Sequence, residues 1–185
     1  DFSAIYFDGI DHFSHGFMKY HPPQLPGLPD THFELYKDII NGAYIFHDMI
    51  LERYLQLIDE DTYIILVSDH GFHSDHLRLT SLPHEPAAPA FEHRRYGIFC
   101  MSGPGIKKDE TLTGVSLLDI APTVLHLFGL PIGEDMDGKV LVNAFEEPQK
   151  IKLIDSWENV AGNSGMHSKE MEENSANSKK AIEKL

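Results

Sequence analysis

Short apolar runs alternate along the chain with stretches that have the period of a helix. Three runs are apolar almost throughout, as strands buried within a sheet are. We predict these strands at residues 3–8 (SAIYFD), 62–67 (TYIILV) and 96–101 (YGIFCM). From Thr31 to about Asp59, apolar residues recur at steps of three and four, which predicts one long helix. A second helix is predicted from Ser116 to Phe128, before the stop signals of a glycine and a proline.

The connections place the polar residues of interest at the ends of the predicted strands. Residues 20–30 are proline-rich and residues 71–92 contain several histidines and prolines, so both are predicted to be loops. Strands that alternate with helices indicate an α/β layer fold. In open α/β sheets, ligands bind beyond the carboxyl ends of the strands. Polar clusters follow Phe7 and Val67 and precede the third strand, so we expect a site there.

The chain of 185 residues has the length of one ordinary domain, and 42% of its residues are hydrophobic. We predict a domain at residues 1–148 and a charged tail at residues 149–185, either helical or partly disordered. The chain begins just before an apolar run and has no initial methionine. We therefore expect it to be a fragment of a longer protein, incomplete at its N-terminus.

The net charge of −14 excludes some classes of partner. A protein that binds the backbone of a nucleic acid polymer needs a basic stripe, and we expect no such binding here. A small anionic substrate remains compatible, because bound divalent cations dominate their local field. Cys100 lies in an apolar run and is predicted to be buried. No apolar run approaches the roughly 20 residues that span a bilayer.

Carboxylates and imidazoles lie close together in three segments. Asp69 and His70 follow the second predicted strand, and Gly71 permits a sharp turn that brings both to one ion. The segment DGIDHFSH contains two Asp/His pairs with a spacing of four, at 8/12 and 11/15, and spacing alone does not choose between them. His93 lies just before the third strand. Imidazole and carboxylate are ligands that Zn²⁺ accepts in sites with an open position.

The same segments resemble the alkaline phosphatase superfamily. IYFDGIDHFSH is similar to its strand, turn and Asp-x-x-x-His pattern, and the resemblance assigns Asp11 and His15 rather than Asp8 and His12. LVSDHGF resembles the family's Asp-His pair, and EHRRYGIFCMSGPGI resembles its last histidine ligand. VSLLDIAPTVLHLFGLP and DMDGKVL resemble the closing helix and turn of the sulfatase and nucleotide pyrophosphatase/phosphodiesterase branches. The resemblance covers residues 3 to about 145.

The resemblance implies an alkaline-phosphatase-like layered sheet flanked by helices, and a metal-dependent hydrolase that acts on small phosphoesters. It implies two divalent metal ions, Zn²⁺ or alternatively Mn²⁺. The implied metal ligands are Asp11, His15, Asp69, His70 and His93. In the family, the Thr or Ser nucleophile and a first aspartate ligand lie N-terminal to these motifs. We therefore expect no catalytic residue within this chain, and an isolated fragment that binds metal weakly and is inactive.

Several alternatives stay open. Within the superfamily, a sulfatase or a cofactor-independent phosphosugar mutase has similar motifs, although the closing segment favours the hydrolases. An alternative of another class is a non-catalytic binding domain. His73, His76 and His84 lie in the loop before His93, where a role in substrate binding is an alternative to solvent exposure. The family implies a periplasmic or other extracytoplasmic location, while the oligomeric state and the substrate-binding residues are not indicated.

Overall fold

The structure is a computed structural model, which describes residues 1–147 and 149–161. The described residues form two compact units. The first contains Asp1–Leu117 and Val142–Gln149, and the second contains Leu118–Leu141 and the described residues from Lys150 onward. The division expected at residues 148 and 149 stays a prediction, because most of the predicted tail, residues 162–185, lies outside the described part of the chain.

The helices of the first unit are α1 (Gly9–Phe17), α2 (Asp30–Tyr36) and α3 (Ile39–Leu55). The prediction of one continuous helix from Thr31 to Asp59 is therefore wrong. The break falls at Lys37 and Asp38, where Asp38 adopts φ −97° and ψ −3°. Aspartate favours caps and turns over helix interiors because its short side chain competes for nearby backbone groups. The predicted apolar face persists in α3, where Ile40 and Ala43 are buried and the helix packs against α1.

The strand predicted at residues 3–8 does not form. Residues 1–8 have no strand assignment and are exposed, with Tyr6 86% exposed. A strand is stable only beside a hydrogen-bonded neighbour, and the strands described in this structure pair with one another elsewhere. Phe7 nevertheless contacts α3, since its ring meets those of His47 and Tyr54 edge-on.

Two antiparallel strand pairs lie in the first unit. They are β1 (Ile64–Val67) with β4 (Phe99–Ser102), and β2 (Gly71–Phe72) with β3 (His93–Arg94). The strands predicted near residues 62–67 and 96–101 are thus present, and the mixed α/β class is confirmed. Cys100 is exposed, which contradicts the prediction that it is buried. The reason is that Cys100 and its partner Leu66 lie on a face of the β1–β4 pair that the described residues leave open.

The second unit contains α4 (Ile120–Leu127) and the parallel pair β5 (Ile132–Gly133) and β6 (Leu153–Ile154). The helix predicted from Ser116 begins later, at Ile120, and Pro122 therefore lies in its first turn. A proline in the first turn removes no intrahelical hydrogen bond, so Pro122 is compatible with a regular start of α4. Of the helices that the structure describes, none is long and apolar enough to cross a membrane.

The turn after β5 is held by polar groups of α4. The buried Thr123 hydroxyl donates to the Asp119 carbonyl at 2.7 Å and accepts the Leu141 backbone N–H at 3.0 Å. The Asp119 carboxylate accepts the backbone N–H of Lys139 at 2.9 Å. These bonds satisfy backbone groups of a segment that has no regular secondary structure, and they fix the DMDGKVL turn beside α4.

Candidate metal centre

Helix α1 carries both Asp/His pairs, and its packing decides which pair faces inward. A Cβ atom at Gly9 would lie only 2.8 Å from Cε1 of His47 on α3, so the start of α1 lies directly against that ring. The His47 ring is itself fixed, because its Nδ1 bonds to the Ala43 carbonyl at 2.8 Å. Ser14 is buried on the inner side of α1. This orientation leaves Asp8 exposed, while Asp11 is partly buried.

A single carboxylate oxygen of Asp11 lies at the centre of an imidazole cluster. Asp11 Oδ1 is 3.5 Å from His15 Nε2, 3.7 Å from His70 Nε2 and 3.7 Å from His93 Nε2. Among the described residues, this buried oxygen has no hydrogen-bond partner. One ligand atom each from Asp11, His70 and His93 lies within 4.8 Å of the others. A buried carboxylate oxygen without a donor is costly, and a cation would satisfy it.

The β2–β3 pair brings two of these imidazoles together. His70 immediately precedes β2 and His93 begins β3, and their rings stack with a centroid separation of 3.7 Å and an interplanar angle of 14°. Phe72, which pairs with His93 across the two strands, packs its ring near those of His15 and His93 at 4.9 and 4.8 Å. The aromatic ring therefore supports the cluster from one side.

Hydrogen bonds at Nδ1 decide which nitrogen of each imidazole faces Asp11. His15 Nδ1 lies 2.8 Å from Oε2 of Glu92, and His70 Nδ1 lies 3.3 Å from the Gly71 carbonyl. Both partners are acceptors, so each Nδ1 carries the proton and donates it. In the neutral rings, each Nε2 then presents a lone pair to the Asp11 carboxylate. Acceptors that converge in this way fit a bound cation.

His93 is suited to act as a neutral ligand. Burial is the main cause that lowers the pKa of His93, and the positive charges of His70 and His15 lower it further. Asp11 and Glu92 act in the opposite direction, without reversing the shift. His93 Nε2 lies 3.1 Å from His15 Nε2, so His93 is the donor of that hydrogen bond. Binding of a metal would displace this proton.

Asp69 differs from the other four predicted ligands. Its side chain is 73% exposed, and Oδ1 lies 3.7 Å from His70 Nε2 and 3.1 Å from the backbone nitrogen of His70. The structure thus brings together Asp11, His15, His70 and His93, and places Asp69 beside His70 at the rim. Asp8 and His12 form a separate exposed pair at 3.6 Å. The assignment of the five residues as metal ligands stays a prediction.

The sequence analysis missed two residues of the cluster, Glu92 and Phe72. Glu92 is buried, although an acidic residue beside a histidine and two arginines is typical of a solvated surface segment. Phe72 follows the Asp-His-Gly turn and was part of a predicted loop. The available signal was the alternation in β2 and β3, which is too short to recognise as strand periodicity.

The loop between the two strands forms its own ionic contacts. Asp75 Oδ2 accepts a hydrogen bond from Arg94 at 3.1 Å, and Asp75 Oδ1 lies 3.5 Å from His73 Nδ1. His76 and His84 are exposed. Arg78, which the sequence analysis did not consider, is buried and donates to the backbone carbonyls of residues 18, 21, 23 and 75. These contacts hold the loop and involve none of the cluster's imidazoles.

Comparisons with known protein families and with individual proteins find partial matches. Residues 1–82 match the family described as type I phosphodiesterase / nucleotide pyrophosphatase. The extracellular sulfatase Sulf-1 homolog of Caenorhabditis elegans is 34% identical over 108 residues, which are 55% of this chain and 15% of that protein. The extracellular sulfatase SULF-1 homolog of Drosophila melanogaster is 32% identical over 101 residues, 51% of this chain and 9% of that protein.

The chain thus spans less than a sixth of the length of these relatives. No solved structure matches it significantly. The family match includes α1 and the Asp69–His70 turn, which contribute Asp11, His15 and His70 to the cluster. The motifs agree with the match to residues 1–82, and this part of the chain is similar to the type I phosphodiesterase / nucleotide pyrophosphatase family.

Proposed function

We propose that this chain supplies ligands to the metal centre of a hydrolase that cleaves small phosphoesters. The observation that carries the proposal is the position of Asp11 Oδ1, buried without a donor and within 3.7 Å of three imidazole Nε2 atoms. The described residues offer these groups no cation of their own, and bound divalent ions would satisfy them. The family match supports phosphoester chemistry.

The donor set favours Zn²⁺, with Mn²⁺ as the alternative. One carboxylate and several imidazoles are ligands of catalytic zinc sites that keep a position open for substrate. Asp11, His15 and His93 would hold one ion, and Asp69 with His70 would hold a second. Asp69 is exposed and accepts only its neighbour's backbone N–H in the contacts described here, so its carboxylate is free to turn towards a second ion.

The residues around the cluster have distinct roles in this proposal. A bound divalent ion supplies Lewis-acid stabilisation of the charge on the transferred phosphoryl group. Asp11 and the imidazoles hold and orient that ion, and Phe72 excludes water from one side of the rings. Because the chain carries a net charge of −14, a small anionic ester is attracted only by the local charge of the ions. The same charge disfavours a nucleic acid polymer as substrate.

Sulfate esters are the second candidate substrate class, because two relatives are named extracellular sulfatases. Phosphate and sulfate esters share a tetrahedral centre with oxygens that a divalent ion can bind, so the described cluster accommodates either class. The names of the relatives also support an extracytoplasmic location for the whole protein, as a part of the same proposal.

Calorimetric titrations test the proposal in two stages. Zn²⁺ is first titrated into the wild-type chain, into His93→Ala, and into the matched control His12→Ala, which alters an exposed histidine on the same segment. We expect binding to the wild type and the control, and none or little to His93→Ala. Equal binding by all three chains would remove the cluster from the proposed site.

The second stage compares two singly charged analogues, methyl phenylphosphonate and benzenesulfonate, on the Zn²⁺-loaded chain. Tighter binding of the phosphonate supports phosphoesters as the substrate class. Tighter binding of the sulfonate overturns that assignment in favour of sulfate esters. Failure of both analogues to bind contradicts an ester-binding site in this chain.

A further inference from the structure

The buried carboxylate of Glu92 has no role in the function proposed above, yet it contacts the cluster. Its Oε2 lies 2.8 Å from His15 Nδ1, on the side of the ring opposite the Asp11 carboxylate. Glu92 and His15 are 77 residues apart in the sequence, so the contact is tertiary. Burial of a carboxylate costs free energy unless a donor satisfies it, and here the His15 ring is that donor.

Glu92 reaches this position through β3. A short 3₁₀ helix ends at Glu92, and β3 begins at the next residue, His93. The Glu92 carbonyl accepts the backbone N–H of His73 at 2.9 Å, which extends the β2–β3 pairing by one residue. Backbone pairing therefore fixes Glu92 and His93 as neighbours that approach His15 from two sides.

We infer that Glu92 is a positioning residue that holds His15 in the Nδ1–H tautomer, so that the Nε2 lone pair faces the metal. A carboxylate is an acceptor, and a neutral imidazole that donates from Nδ1 has its lone pair on Nε2. Carboxylates that accept the second ring N–H of a ligating histidine fix its orientation and raise its basicity. Glu92 touches neither substrate nor metal in this arrangement, and it acts through His15.

This inference rests on the proposed function only for the bound metal, because the tautomer of His15 can be measured without a metal. The test therefore measures both the His15 tautomer and the Zn²⁺ affinity. Nitrogen chemical shifts of the histidine rings, measured by NMR without metal, report the tautomer of His15. We expect the Nδ1–H form in the wild type and a shift towards Nε2–H in Glu92→Ala. Glu92→Gln keeps an acceptor oxygen and should largely retain the wild-type tautomer. Glu60→Ala, which removes an exposed carboxylate, is the control.

Zn²⁺ affinity by competitive titration is the second readout. We expect Glu92→Ala to bind about 10–100-fold more weakly than the wild type, with Glu92→Gln between the two. If Glu92→Ala fails to fold, Glu92→Met keeps the length of the side chain without an acceptor and takes its place.

The outcomes separate the inference from the proposed function. An unchanged His15 tautomer in the Ala or Met variant overturns the inference, whatever the metal affinity. A changed tautomer with unchanged Zn²⁺ affinity also overturns it, because the tautomer then has no consequence for the metal. A wild-type chain that binds no Zn²⁺ refutes the proposed function, and the NMR comparison alone then decides whether Glu92 positions His15.

Discussion

Two Asp/His pairs with the same spacing lie at the start of one helix. Only one of them contacts histidine and carboxylate side chains from other parts of the chain. Asp8 and His12 approach to 3.6 Å, with side chains 59% and 72% exposed. Asp11 and His15 approach to 3.5 Å, with side chains 37% and 26% exposed. The local geometry of the two pairs is thus nearly equal, and their surroundings differ.

The difference shows that sequence spacing brings an aspartate and a histidine together, whereas tertiary contacts decide whether the pair joins a larger cluster. The His12 ring nitrogen Nδ1 bonds to the Asp8 carbonyl at 3.0 Å, which is a contact within one turn. His15 instead meets Glu92 and His93, which come from the β2–β3 region. A helix turns by about 100° and rises about 1.5 Å per residue, so an offset of three residues rotates the second pair by only about 60° and moves it about 4.5 Å along the axis. The contacts from the β2–β3 region, rather than the helix geometry alone, therefore distinguish the two pairs.

The largest expected effect comes from removing the carboxylate charge in each pair. Asp11→Asn should weaken Zn²⁺ binding by more than about 100-fold, since loss of an outer partner alone costs about 10–100-fold and Asp11 is a direct ligand in the proposal. Asp8→Asn is the matched control and should leave Zn²⁺ affinity unchanged. Competitive titration with a chelator measures both. If both variants lost Zn²⁺ affinity equally, the two Asp/His pairs would be equivalent, which would contradict the distinction drawn above.

The packing that orients α1 can be tested at its two glycines. Gly9→Ala should lower the free energy of unfolding by about 1–3 kcal/mol, because the new methyl group would overpack against the His47 ring. Gly16 lies in the same helix with no heavy atom within 4 Å of its added Cβ. Gly16→Ala should therefore raise stability by about 0.5–1 kcal/mol through helix propensity.

Denaturant unfolding of the metal-free chains gives both values. Gly9→Ala should also weaken Zn²⁺ binding, since a displaced α1 moves Asp11 relative to the imidazoles, whereas Gly16→Ala should not. A Gly9→Ala variant as stable as Gly16→Ala would show that α1 is not seated on α3 as described. The inward orientation of Asp11 would then lack its structural cause.

A smaller effect is expected from pH, through His93. Burial lowers the pKa of His93 in the folded chain below its ordinary value of 6.5. As the pH falls through 6.5, the unfolded chain therefore takes up this proton before the folded chain does, and the free energy of unfolding decreases. The loss is complete once the pH lies below the folded pKa. His93→Gln, which does not titrate, should lose less stability over the same range.

Unfolding of the metal-free wild type and His93→Gln between about pH 7.5 and 5 checks this prediction. The other histidines are present in both chains, so the difference reports His93 together with its electrostatic coupling to His70 and His15. With Zn²⁺ present, the increase in melting temperature should shrink as the pH falls, because protons compete with the metal for its ligands. Parallel pH profiles of the two metal-free chains would contradict the partly buried position of His93.

The sequence predicted which polar side chains lie near one another better than it predicted the backbone. The family resemblance assigned Asp11, His15, His70 and His93, which the structure brings together, and Asp69, which lies beside His70 at the rim. Periodicity predicted β1, β4 and most of α3. These features depend on short segments whose side chains carry the signal locally, as hydrophobic runs or as fixed spacings.

The failures have a common physical origin in contacts that sequence patterns do not contain. Residues 3–8 have the apolar pattern of a strand, but a strand requires a hydrogen-bonded neighbour. The break before α3 depends on local competition at Asp38, within an otherwise continuous helical period. Glu92 has the sequence context of a surface residue, and only the β2–β3 pairing reveals that it is buried against His15.

The smallest expected effect concerns the exposed pair itself. A double-mutant cycle of Asp8→Asn and His12→Gln, measured on the metal-free chain, should give a coupling of less than about 0.5 kcal/mol. The pair is solvated, so about 1 M salt should remove most of this coupling by screening. The backbone bond from His12 N–H to the Asp8 carbonyl at 3.0 Å is unaffected by either change, so helix formation is preserved.

The same cycle at Asp11 and His15, made with Asp11→Asn and His15→Gln, completes the comparison. These side chains share His93 as a neighbour, and residues in one network typically couple by about 0.5–3 kcal/mol. Because this pair is less exposed, salt should reduce its coupling less than that of the outer pair. Equal couplings with equal salt dependence would leave the two pairs physically indistinguishable. The tertiary neighbours of Asp11 and His15 would then make no contribution to the coupling of this pair in the metal-free chain.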